Sequence, residues 1–498
     1  MAWEQLWISR PHLAYAVLGG FTIVFSLVSL FVKEKLYIGE ASAATLVGLI
    51  FGPHAADLVN PMSWGNTDYI TLEITRVVLV IQIFSVAAEL PAKFMYYHGL
   101  GLSLLLFWAM TFGWIVSSVF IWKLVPGLRW VESLVISACI TATDPVLAAA
   151  IIGKSKFASK IPARIRDLLS AESACNDGLA VPFTYLAIYL IRYEGHPREI
   201  VKNLFCLAIL YQCVFGVFLG ITIGYLGRKL FNLAQTYDLM DRESLLVFYI
   251  VVALFGSGTG SILGVDDLLV SFAAGSAFSW DGLYLERAEE ANVSAVVDYL
   301  LNISYFVYFG SIVPWDMFNA VDIGLSAWKL VLLALILLAV RRIPIICALK
   351  PFVRDIHTWR EALFCGHFGP IGVSAVFMTI LVRAELAHGD PIPSEELLES
   401  NEENYMVVTV IWPVVSFMIL TSIIVHGSSI AIYKLYRQVS NLGVSRSLTS
   451  LSPSTASAQK SAENGEGDEI EMIELGPGKS VGEQFSDRKS ARRVSIAV

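Results

Sequence analysis

Apolar runs of close to 20 residues, separated by charged, proline- or glycine-containing breakers, recur from the N-terminus to about residue 435. A helix of about 20 apolar residues matches the hydrocarbon thickness of a bilayer. Helices also satisfy their backbone polar groups internally, as a membrane requires. The pattern predicts an all-α polytopic membrane protein with about thirteen transmembrane helices, the number of such runs. They centre near 12–32, 38–58, 71–90, 99–122, 131–152, 166–192, 201–227, 243–263, 265–280, 293–313, 324–348, 360–382 and 406–432. The first run is too long for a signal-peptide core and lacks a basic start, so it reads as a retained span. Residues 1–435 form the expected membrane domain, and 436–498 a cytosolic disordered tail. That tail is rich in Ser, Gly, Glu and Pro and buries too little apolar surface to fold alone.

Composition sharpens this picture. The 498 residues are 56% hydrophobic and 16% charged, with mean hydropathy +0.64, whereas soluble domains are about a quarter charged. The net charge of −8 says little about partners, because acidic groups gather in the tail and in the loop PIPSEELLESNEEN. No basic stripe carries interleaved aromatics, so nothing suggests nucleic acid and none is expected as a partner. No GxxxxGK[ST] phosphate loop occurs, so nothing points to ATP or to a cofactor. Cys139, Cys175, Cys206, Cys213, Cys347 and Cys365 mostly fall within apolar runs without metal-type spacing and read as reduced core residues. One set of loops carries Lys33, Lys35, Lys93, Lys154, Lys156, Lys160, Arg164, Arg166, Arg228, Lys229, Arg242, Lys350, Arg354 and Arg360. The positive-inside rule makes that set cytosolic, with the N-terminus outside and the C-terminal tail inside. In the tail, Ser495 follows two arginines, the pattern of a basophilic kinase site.

Against this apolar background, polar groups inside the spans are the candidates for chemistry, because an intramembrane charge costs at least a few kcal/mol. Asp144 lies in TATDPVLAAAII. Pro145 removes a helix hydrogen bond and pushes Asp144 toward extended backbone, so the helix breaks at TDP. Freed carbonyls there, with the hydroxyls of Thr141 and Thr143, suit a small cation in a wet cavity. The bland alternative is a proline kink with a capping aspartate. On the next span, Glu172 and Asn176 share a helix face four residues apart, and Asp177 is one step round. Burial favours the protonated form of such a carboxylate. It holds a proton or a cation, but hardly both, and that competition is the core of exchange. A structural polar knot is the alternative.

A second interruption lies near 360–382, at Gly366, Gly369, Pro370 and Gly372. If spans two to six and nine to thirteen are inverted repeats, the two interrupted helices hold corresponding positions, the sequence pointer to a transporter site. His367 sits at the second break, as a pH-sensitive group or a packed histidine. Arg341 and Arg342 lie deep enough to need partners, and Glu172–Arg341 is the expected bridge, with snorkelling as the alternative. Asp266 and Asp267 follow a glycine-rich turn. They read either as helix caps or as a cation-attracting pair on a proton or cation path.

The segments VGLIFGPHAADLVNPMSWG, ACITATDPVLAAAIIG, SAESACNDGLAVPF, GVDDLLVSFAAG, RRIPII and GHFGPIGVSAVF, in this order, resemble the fungal plasma-membrane sodium/proton antiporters of the cation/proton antiporter superfamily. The resemblance implies a homodimer in membrane lipid. Each subunit would have a scaffold and a mobile core containing two crossed discontinuous helices, near 131–152 and 360–382. It implies Asp177 as the cation- and proton-binding carboxylate, Asn176 as its neighbour, and Thr143 and Asp144 flanking the site. It also implies that Glu172 pairs with a basic residue before the second broken helix, Arg341 or its competitor Arg342. The expected function is secondary active exchange of cytosolic Na⁺ or Li⁺, with K⁺ as a further candidate, for external H⁺, by alternating access and without enzymatic turnover. A K⁺-preferring exchanger, a proton-coupled symporter and a cation channel are the alternatives, and no TVGYG-like filter supports the last.

Overall fold

The computed structural model describes residues 8–36, 38–145, 147–148, 161–282, 293–394 and 402–449. Those residues contain helices and no strand, so the expected all-α class holds. Among the described residues, eight helices are long and apolar enough to cross a bilayer, including Thr67–Glu89, Ala163–Arg192, Pro197–Thr236 and Ser294–Ile312. Shorter apolar helices, Glu40–Phe51, Trp130–Cys139, Val247–Leu263 and Asp267–Phe278, stand among them. Length alone therefore counts fewer spans than the thirteen expected: two segments are interrupted, at 140–144 and 368–372, and Glu40–Phe51, Val247–Leu263 and Asp267–Phe278 are shorter than a full crossing.

Met1–Val439 is one compact unit, and Ser440–Val498 is a second. The last helix runs Tyr405–Thr449, past the expected end near 435. No proline interrupts the sequence between Pro413 and Pro453. Ser495 and the rest of the expected tail lie outside the described residues.

Small residues set how closely the helices approach. A Cβ on Gly48 would meet the Val307 carbonyl and stand 2.9 Å from the Gly310 Cα. Helices Glu40–Phe51 and Val293–Ile312 therefore cross backbone to backbone. Gly220 and Gly224 press likewise on Val270 and Ala274, and a Cβ on Gly275 would stand 2.6 Å from the Phe84 carbonyl. In lipid, where apolar burial gives no net drive between helices, such close packing carries association.

The two interruptions position the site. Helix Trp130–Cys139 stops, residues 140–144 are irregular, and Pro145 follows. Helix Trp359–His367 stops, residues 368–372 are irregular, and Val373–His388 resumes. The interruptions meet: the Asp144 amide donates to the Pro370 carbonyl at 2.9 Å. Helix Thr67–Glu89 packs on Val373–His388, Ala163–Arg192 and Asp267–Phe278, which places it beside this crossing.

Candidate functional site

The crossing is built from carbonyls and amides that two broken helices leave without intrahelical partners. At the second half-helix, the Val373 amide donates to Asp144 Oδ2 at 2.6 Å, so a carboxylate sits where the helix N-terminus favours negative charge. Gly372 makes room for it, since a Cβ there would overlap the Asp144 carboxyl. On the opposite charge, Arg341 donates to the carbonyls of Ile140 and Gly369. These carbonyls end the first halves of both broken helices, where positive charge is favoured. One aspartate and one arginine thus answer the ends that the crossing exposes.

Asn176 holds the first break in place. Its Oδ1 accepts from the Thr143 amide at 3.2 Å, its Nδ2 donates to Thr143 Oγ1 at 2.8 Å, and that hydroxyl lies 3.0 Å from Ser173 Oγ. Asp177, the next residue, is 0% exposed. Neither of its carboxylate oxygens has a hydrogen-bond partner among the described residues. Asp144 and Asp266 act on it electrostatically, and the Ser374 hydroxyl lies alongside without meeting hydrogen-bond geometry. A buried carboxylate without a donor costs several kcal/mol unless it takes a proton or a cation. The arrangement is chemically fit to bind either.

The expected Glu172–Arg341 bridge is corrected. Glu172 pairs with Arg342, bidentate at 2.8 and 3.1 Å. The chain bends between helices Ala327–Val340 and Ile343–Leu349, which turns the two arginines to different partners. Arg342 takes the carboxylate and Arg341 takes the helix ends. Both are buried, at 6% and 5% exposure, which rules out snorkelling.

Asp266 caps helix Asp267–Phe278, its Oδ1 accepting from the Leu268 and Leu269 amides at 3.1 Å each, as the capping alternative expects. Its Oδ2 has no partner and lies 2.9 Å from where a Cβ on Gly178 would stand, so its free oxygen faces the Asp177 helix. Asp267 is turned elsewhere, paired with Arg76 at 3.0 Å and with the hydroxyls of Ser257 and Ser261. His367 stacks on His426 with ring centroids 5.3 Å apart. Both rings line a cavity with Arg341, Arg342 and Ile371.

The last span contributes groups that sequence reading missed. Ser422 Oγ accepts from the Ile371 amide at 2.7 Å, and His426 Nε2 lies 3.0 Å from the His367 carbonyl. Both meet the second break. Their signal was present in TSIIVHGSS, polar groups four apart in an apolar run, but it carries no recognisable motif. The cysteines Cys139, Cys175, Cys213 and Cys365 are buried and free, Cys347 is partly buried, and Cys206 is exposed.

Residues 22–434 match the family model described as sodium/hydrogen exchanger, transmembrane. The chain is 53% identical over 447 residues to a probable Na⁺/H⁺ antiporter of Schizosaccharomyces pombe, covering 89% of this chain and 59% of that one. It is 51% identical to a Na⁺/H⁺ antiporter of Saccharomyces cerevisiae, covering 90% of this chain and 46% of that one. The chain thus spans about half the length of those two relatives. A further Na⁺/H⁺ antiporter of Schizosaccharomyces pombe is 43% identical, with 90% of this chain and 96% of that one covered. The solved structure of a sodium proton antiporter from Methanocaldococcus jannaschii at pH 8 shares the fold. Its TM-score is 0.60 at 20% identity, covering 84% of this chain and 100% of that one.

Proposed function

The chain belongs to the sodium/hydrogen exchanger family, and from that premise we propose that it exports cytosolic Na⁺ or Li⁺ in exchange for external H⁺ by alternating access. Asp177 carries the exchange. The supporting observation is its carboxylate, fully buried with both oxygens unpartnered among the described residues, one residue after the Asn176 that holds the first break. A proton and a cation compete for that one anion, so each half of the cycle neutralises it with a different ion. Thr143 and Asp144 flank the bound ion, and Asn176 sets the position of the break. The working protein is a homodimer in the plasma membrane, N-terminus outside and tail cytosolic. Within each subunit the membrane domain divides into a scaffold and a core of inverted repeats. Glu172 and Arg342 stabilise the core, and Asp266 faces the same site.

The relatives' names, Na⁺/H⁺ antiporters, agree with this reading, and K⁺ is its competitor substrate. The test uses the purified chain in proteoliposomes with an imposed acid-inside gradient and a pH-sensitive dye. Added Na⁺ or Li⁺ outside is expected to release the dye's quench as protons leave. Acidification on adding the cation would show symport, and a K⁺ response exceeding that to Na⁺ would reverse the proposed preference. Currents far above carrier turnover would show a channel.

A further inference from the structure

The last span, Tyr405–Ser428, buries two polar side chains of its inner half, Ser422 and His426, at 1% and 2% exposure. Four residues apart, they share a helix face. Burial of such groups is costly unless they are hydrogen-bonded, and both are bonded to the backbone of the second break.

That backbone is gripped from two sides. From the first break, the Asp144 amide donates to the Pro370 carbonyl at 2.9 Å, and Asp144 Oδ2 accepts from the Val373 amide at 2.6 Å. Between these two contacts lies Ile371, whose amide donates to Ser422 Oγ at 2.7 Å. Earlier in the segment, the His367 carbonyl takes the Gly369 amide at 3.0 Å and His426 Nε2 at 3.0 Å. A carbonyl only accepts, so Nε2 carries a proton. Ser422 also orients the ring, with Nδ1 3.1 Å from its hydroxyl and 2.9 Å from its carbonyl.

The two atoms that hold Asp144 therefore straddle the one that the last span holds. A broken helix lacks the repeating hydrogen bonds that would fix its backbone, so these contacts decide where residues 368–372 lie. A shift of Ile371 moves the Pro370 carbonyl and the Val373 amide, and Asp144 with them. Asp144 in turn acts electrostatically on Asp177. The last span thus reaches the ion site in two steps, through the break and then through Asp144.

We propose that Ser422 and His426 are positioning residues for the exchange site, which set where Asp144 stands relative to Asp177 and so tune cation affinity and the Li⁺ to Na⁺ ratio. The proposal rests on the exchange reading above and adds two residues to it. Li⁺ and Na⁺ carry the same charge and differ in size. Displacing a flanking carboxylate changes their ratio, whereas losing folded protein lowers both rates alike.

The test measures Na⁺- and Li⁺-evoked proton movement against cation concentration for the purified full chain in proteoliposomes, with Tm in detergent as the check on folding. Ser422→Ala is expected to raise the apparent KM for Na⁺ by about tenfold, the lower end of what outer partners of an ion site contribute. The maximal rate per folded protein should change less, and the Li⁺ to Na⁺ KM ratio should move. Ser422→Thr keeps the hydroxyl and is expected to restore the parent values. His426→Leu should shift KM in the same direction, and His426→Gln, whose amide can still donate to the His367 carbonyl, should shift it less. If Ser422→Ala folds poorly, the His426→Leu and His426→Gln pair carries the same comparison. Folded Ser422→Ala and His426→Leu proteins with parental KM and ion ratio would overturn the positioning role, as would a folded Ser422→Thr that fails to restore them. If exchange by the parent still depends on Asp177 in that case, the exchange reading survives without it. A parent without cation-evoked proton movement would remove the exchange reading and the positioning role together.

Discussion

Glu172 and Asp177 stand on the same helix, little more than a turn apart, and both are buried. Glu172 is closed by the bidentate Arg342 guanidinium. Neither oxygen of Asp177 has a hydrogen-bond partner among the described residues, although the Ser374 hydroxyl lies alongside. Burial alone therefore does not mark an ion site in a membrane. A carboxylate satisfied by a fixed cation holds helices together. One left unsatisfied needs a mobile partner. The difference is made by the chain bend at Arg341 and Arg342, which sends one guanidinium to Glu172 and the other to the helix ends. Neither guanidinium reaches Asp177.

The comparison breaks most visibly if Glu172 is neutralised. Glu172→Gln leaves Arg342 as a buried uncompensated charge and is expected to cost ~3–5 kcal/mol. Thermal unfolding in detergent would report it as a marked fall in Tm, and the double variant Glu172→Leu/Arg342→Met is expected to recover most of it. An unchanged Tm for Glu172→Gln would erase the distinction between the two carboxylates. A smaller effect is expected at the crossing. Gly372→Ala puts a Cβ into the space of the Asp144 carboxyl, and overpacking of this kind costs ~1–3 kcal/mol. Both Tm and flux should fall, because Asp144 must leave the Val373 amide. Retention of both would mean that the crossing has slack the contact denies.

Much of this was legible in the sequence. Apolar run length gave the all-α class, because bilayer thickness sets helix length. TDP and GHFGPIG gave both breaks, because proline and glycine act locally on the backbone. Glu172, Asn176 and Asp177 stood out because polar residues are rare in an apolar helix. Choosing Arg342 over Arg341 was beyond the sequence. Adjacent residues at a bend point in directions that only the tertiary fold sets. The capping of both broken ends by Arg341, and the contacts of Ser422 and His426, were hidden for a related reason. Their partners are backbone groups far away in the chain, and backbone groups leave no mark in a residue pattern. Asp266 was read as a possible cap and is one, while Asp267 is bound to Arg76, which no local rule singles out.

The smallest expected effect lies outside the membrane and sharpens the contrast by scale. Asp57 follows the helix Glu40–Phe51, and hydrogen bonds from Arg10, then Asn60, hold its carboxyl below the usual value of 3.8. A lowered folded-state value means the contribution is present above the unfolded value and is lost as pH falls through the folded one. A slight fall in Tm below about pH 4 is therefore expected, and Asp57→Asn should flatten it. An equal pH response in both proteins would show that the pair does nothing measurable, as exposed pairs often do.

The central claim is that Asp177 is the group for which proton and cation compete. In proteoliposomes, Asp177→Asn is expected to abolish Na⁺- and Li⁺-evoked proton movement while its Tm stays at or above that of the parent, because a neutral amide replaces a buried, unbonded carboxylate. Normal exchange by a well-folded Asp177→Asn protein would contradict the account.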